Sequence, residues 1–215
     1  MAASQPLLSS LAVLGGVIAM VVDSRRAVPI AVLAAALGLA PSAASVAGGS
    51  APLVLIGAGV VGAGGAVVAR LLAQQASWAS GLDPSIPVFA GGSALFGPRS
   101  IRVLAAALAL PAASWVSFNA PLGAVTIVRG LLLPAAYVWV CGAFRMIVAR
   151  TVADIVIGAA LAGFGGGVAW LIRGGPDAFG GLVVACSVAP AASVLAGWLA
   201  GRHARRSAAP RAEAA

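Results

Sequence analysis

The chain has 215 residues, 61% of them hydrophobic and only 8% charged, with a mean hydropathy of +1.07. A soluble globular domain carries about 25% charged residues, so water is excluded as the solvent for most of this surface. The net charge of +8 comes wholly from arginines that fall between apolar runs, a pattern that marks membrane orientation and argues against a nucleic-acid-binding face.

The first apolar run, Pro6 to Val22, is near the short limit for crossing a bilayer. It lacks a basic leader, and Asp23-Ser24-Arg25-Arg26 follows where a signal peptide would place its small-residue cleavage site, so it is expected to stay as a span. The second run, Ala27 to Ala47, carries Pro41, which kinks a helix unless neighbours satisfy the freed carbonyl. Gly48-Gly49-Ser50 makes a tight turn into a third run, Pro52 to Ala69, closed by Arg70. Residues 71–102 form the longest connection. Its first part, L-L-A-Q-Q-A-S-W, is expected along the interface, where Trp is favoured. The fourth run is Val103 to Phe118, and the fifth, Leu122 to Phe144, contains Arg129, Pro134, Tyr137 and Trp139. The sixth, Thr151 to Ile172, is preceded by Arg145 and Arg150 and followed by Arg173. The seventh, Gly180 to Ala200, leads into a tail with five basic residues, Arg202, His203, Arg205, Arg206 and Arg211.

The predicted fold class is therefore all-α: a polytopic membrane helix bundle of seven spans in one transmembrane domain, residues 1–200. Residues 201–215 are read as a disordered, basic cytoplasmic tail. With the N-terminus outside and the C-terminus inside, the inner side receives Arg25, Arg26, Arg70, Arg99, Arg102, Arg145, Arg150, Arg202, Arg205, Arg206 and Arg211. That is eleven of the thirteen, and arginine bias is what sets orientation. Spans one to three and five to seven share an order of span, arginine pair, small-residue span, Gly-Gly turn and span. This suggests a 3+1+3 parallel repeat of the kind found in transport-type proteins, although any chain so rich in Ala and Gly imitates itself. The expected location is the cytoplasmic membrane of a prokaryote.

Little in this chain can carry chemistry. Gly57, Gly59 and Gly62 spell G-x-G-x-x-G after an apolar run, with Asp83 at a tolerable distance, but a dinucleotide fingerprint needs alternating strands and helices that the rest of the chain does not offer. Ala58, Gly62 and Ala66 at spacing four explain those glycines as helix packing in lipid. Ala159, Gly163 and Gly167 form the same motif in the sixth run. Two charges lie within spans, where ionisable groups are costly and are functional suspects. Arg129 sits about two turns in from the outer end of span five. Asp154 sits one turn after Arg150, suggesting at best an i,i+4 pair. Each reads as an interfacial anchor or as part of an ion path or a subunit contact, and no titratable group is expected in the middle third of the membrane. His203, the sole histidine, lies in the tail, so neither a nucleophile–base pair nor a His/Cys metal site can be assembled. Cys141 and Cys186 read as small packing residues. No catalytic residue, cofactor, nucleotide or nucleic-acid partner is expected; the lipid bilayer and other membrane subunits are.

With seven spans in this length and an outside N-terminus, the chain resembles the hydrogenase-4 component E family, membrane subunits of multisubunit hydrogenases related to the K-type subunit of respiratory complex I. The opening run followed by S-R-R is similar, as are L-F-G-P (Leu95 to Pro98) before an Ala/Leu-rich span and the paired Arg145 and Arg150 before span six. The resemblance implies a non-enzymatic membrane subunit. It also implies a buried glutamate on a proton path in the helix after those arginines, yet Ile155 to Gly167 holds only Ala, Gly, Leu, Phe, Val and Ile, so a proton path of this chain's own is in doubt. A self-standing small transporter or channel is the alternative.

Overall fold

The computed structural model describes residues 5–22, 24, 26–80, 98–119, 126–149 and 151–212. Seven α-helices run in chain order: α1 (Gln5–Val21), α2 (Ala27–Ala47), α3 (Ser50–Ser80), α4 (Pro98–Asn119), α5 (Thr126–Ile147), α6 (Val152–Gly174) and α7 (Phe179–Ala212), with one 3₁₀ turn, Pro176–Ala178, before α7. There is no strand among the described residues. In lipid the backbone has to satisfy its hydrogen bonds internally, and an apolar run does so only as a helix. Helices α2 to α7 each contain a stretch long and apolar enough to cross a membrane, while α1 is shorter. The chain is a multi-pass helical membrane protein by length and composition of its helices.

The turns follow the predicted glycines. Gly48 and Gly175 carry positive φ angles of 75° and 70° just after α2 and α6, and their amides cap those helices on the carbonyls of Ala44 and Leu171. A residue with a Cβ would be strained there.

Two helices outrun their expected spans. α3 continues unbroken to Ser80, so the stretch predicted to lie along the interface instead prolongs the span. α7 continues to Ala212, carrying as helix the residues expected to form a disordered tail. The α3 extension, Leu71 to Ser80, holds no glycine or proline, so the helix propagates once nucleated by the packed turns before it.

The helices form two layers, α1–α2–α3 and α5–α6–α7, stacked like on like: α1 against α5, α2 against α6 and α3 against α7. A two-fold axis along the membrane normal would instead have set α1 opposite α7. Helix α4 lies at the edge, against α5 and α1. The most enclosed helix is α6, whose Ile157, Leu161, Phe164, Val168 and Leu171 fill the main core with Val32, Leu39, Leu55 and Leu182.

Glycines let these layers close. A Cβ added at Gly163 would run into the carbonyl oxygen of Ala185 on α7, and one at Gly167 would lie 3.0 Å from Ala185 and Leu182. A second stripe, absent from the sequence reading, serves α5: a Cβ at Gly142 would stand 2.6 Å from the carbonyl oxygen of Gly158. One at Gly165 would strike the backbone of Ala135 and Trp139. Ala159, the first residue of the Ala159–Gly163–Gly167 stripe, is buried. On α3, Gly62 and Ala66 are buried and Ala58 packs against the core. Gly57, Gly59 and Gly62 all lie within the continuous α3, so the strand–turn–helix geometry that a dinucleotide fingerprint requires is not formed there.

Candidate functional site

The polar centre of the molecule forms where α4 begins, α5 ends and α6 begins. Thr151 is the N-cap of α6: its Oγ1 accepts from the amide of Asp154 at 3.2 Å, while the Asp154 carboxylate accepts from the Thr151 amide at 3.2 Å and from its hydroxyl at 3.0 Å. This reciprocal capping box satisfies donors that a helix start leaves open. It also holds the carboxylate at the positive end of the α6 dipole.

Two arginines complete the site. Arg145, in the last turn of α5, donates through Nη2 to Asp154 Oδ1 at 2.6 Å. Arg102, in the second turn of α4, donates through Nη2 to Oδ2 at 3.2 Å. Asp154 is 3% exposed, Arg145 1% and Arg102 4%. Charges this far from water persist only when paired and hydrogen-bonded. One carboxylate therefore clamps the ends of three helices. The sequence reading is corrected on two points. Asp154, read as an interfacial anchor or part of an ion path or subunit contact, is buried, and its partners are Arg145 and Arg102 where at best Arg150 was expected. Arg150, like Asp83, lies outside the described residues. Arg129 lies at the end of α5 opposite Arg145.

A second polar contact lies deeper. Tyr137, midway along α5, is buried, and its hydroxyl donates to the carbonyl oxygen of Ala106 on α4 at 3.3 Å. Cys141, also buried, shares its cluster with Ala109 and Ala113 of α4. The seam between α4 and α5 therefore holds a hydroxyl and a thiol. The signal was present: Tyr137, Cys141 and Arg145 follow one another at spacing four and share one face of α5. Arg102, by contrast, meets Asp154 across 52 positions and could not have been paired from spacing.

At the same end of the bundle, Arg70 of α3 donates through Nη1 to the Ser24 carbonyl oxygen at 3.1 Å, tying α3 to the α1–α2 turn. Cys186 is buried on α7, away from Cys141 on α5. Among the described residues, no three His, Cys, Asp or Glu side chains come together as metal ligands. The site is thus equipped to hold helices in register and to bury charge. The chain matches no protein-family model, curated protein or solved structure.

Proposed function

We propose that this multi-pass membrane protein is a non-catalytic subunit of a complex I-like or membrane-bound-hydrogenase-like assembly. The observation that supports this reading is the bonding of Asp154. A carboxylate that moves protons has to exchange its partners. This one is fixed by two guanidinium groups and a capping threonine at the start of a helix, and Ile155 to Gly167 beyond it offers no other ionisable side chain. A self-standing transporter is the second reading, favoured by the Tyr137 hydroxyl on the α4–α5 seam.

Affinity purification of the tagged chain from its native membrane in a mild detergent separates the two. The subunit reading expects stoichiometric recovery with antiporter-like and hydrogenase-like or complex I-like subunits identified by mass. Recovery of the chain alone, with ion flux in proteoliposomes that Tyr137→Phe abolishes, would establish the transporter.

A further inference from the structure

The far end of α7 continues well past its apolar run. The helix is 34 residues long, about 51 Å at 1.5 Å per residue, against a hydrocarbon core of about 30 Å. Its apolar run extends to Ala200. Ala192 packs at the level of Ala69, Ala153 and Val156, beside Asp154, and from there the helix runs on for about 30 Å to Ala212. From Gly201 onward the segment holds no Leu, Ile, Val or aromatic residue, so it has no apolar face to bury against a protein helix or to insert into the membrane.

Its outward face is fixed by the span before it. Ser193 turns toward α3, since a Cβ added at Gly65 would run into its hydroxyl. Val194, Leu195 and Trp198 are exposed, at 73%, 56% and 54%, and look away from α3 toward lipid. Successive residues are about 100° apart on a helix. Arg202, Arg205 and Arg206 therefore take the register positions that continue the Val194–Leu195–Trp198 stripe. After Asp177 the sequence has one acidic residue, Glu213.

We propose that this stripe binds an anionic phospholipid. An acyl chain lies along Val194 and Leu195, Trp198 marks the interface where its ring is favoured, and Arg202, Arg205 and Arg206 take the headgroup phosphate. Guanidinium forks match phosphate oxygens in pairs, and a basic cluster just past a span is drawn to anionic lipid. The continuity of the lipid-facing stripe with the arginines selects a lipid over a soluble phosphate polymer such as RNA. The proposal is independent of the subunit reading, because the chain alone is sufficient to test it.

In the test, the full chain with Trp198 as its sole tryptophan is reconstituted in phosphatidylcholine vesicles containing dibrominated phosphatidylglycerol, and quenching gives the relative binding constant of the two lipids at Trp198. The expected preference for phosphatidylglycerol is about fivefold or more at low salt. It should fall toward one at high salt and in the Arg202→Gln/Arg205→Gln/Arg206→Gln variant. A ratio near one in the parent protein, or a preference that the triple variant retains, would overturn the proposal. Native mass spectrometry of the chain with all its tryptophans guards against damage from their replacement: retained phosphatidylglycerol that the triple variant loses supports the site. Bound RNA in its place, with no lipid preference, refutes it.

Discussion

Asp154 carries more of the architecture than any other side chain. Taking a charge from water into a low-dielectric interior is costly, and removing one partner of a buried pair typically destabilises by about 3–5 kcal/mol because the other charge is left uncompensated. Asp154→Asn would leave Arg102 and Arg145 buried without their shared carboxylate, and should lower the detergent melting temperature more than either arginine substitution. Arg102→Gln should be the mildest of the three, since its bond to Asp154 is 3.2 Å against 2.6 Å for Arg145. Thr151→Ala removes the cap and the hydroxyl donor to the carboxylate while leaving both ion pairs, and should cost about 0.5–2 kcal/mol. Melting curves of the four purified variants give the ranking. An Asp154→Asn protein that melts with the parent would mean the cluster is not what holds α4, α5 and α6 together. A capping signal at this site was legible in Thr151-x-x-Asp154, but an i,i+4 arginine drew the reading instead. The true partners come from α4 and the end of α5, and only the packed bundle brings them to the carboxylate.

At the scale of the helix, α6 shows how two small-residue stripes hold two neighbours at once. Gly163 and Gly167 face α7, while Gly158 and Gly165 face α5, so α6 is held closely on both sides. Where the obstructing atoms are backbone, they cannot rotate away. Gly163→Leu should therefore cost at least the roughly 1–3 kcal/mol typical of overpacking, read as a lower melting temperature or loss of the monodisperse peak in detergent. Gly57→Leu is the control, because nothing lies within 4 Å of a Cβ there and the residue is exposed. It should be neutral or slightly stabilising, as Leu forms helix better than Gly. Equal effects at the two positions would place the Gly163 face against lipid. Spacing four exposed the first stripe in the sequence. The second was hidden because Gly158, Ala162 and Gly165 alternate spacings of four and three, and because Gly-rich text offers many such stripes without saying which meet a neighbour. Helix number and order were legible from run length. The ends of α3 and α7 were not, since polar residues beyond a span are compatible with helix and coil alike.

For the molecule as a whole, two of the arginines at the inner end have a second role. Arg102 and Arg145 are buried on Asp154, so they report packing as well as orientation. Setting those two aside leaves nine of the eleven arginines assigned to one end, against Arg129 and Arg173 at the other, and the bias survives. The same end gathers the α1–α2 turn, Arg70 and the start of α6, as an alternating bundle requires. The C-terminal end of α7 should accordingly be cytoplasmic and the α6–α7 turn external. In a background with Cys141→Ala and Cys186→Ala, both buried thiols, single cysteines replace Asp177 and Ser207. A membrane-impermeant maleimide should label Asp177→Cys in intact cells, and Ser207→Cys only after the membrane is opened. The reverse pattern would invert the bundle and place the basic end of α7 outside the cell. Labelling of both sites in intact cells would mean that α7 does not cross, and would end the seven-helix topology.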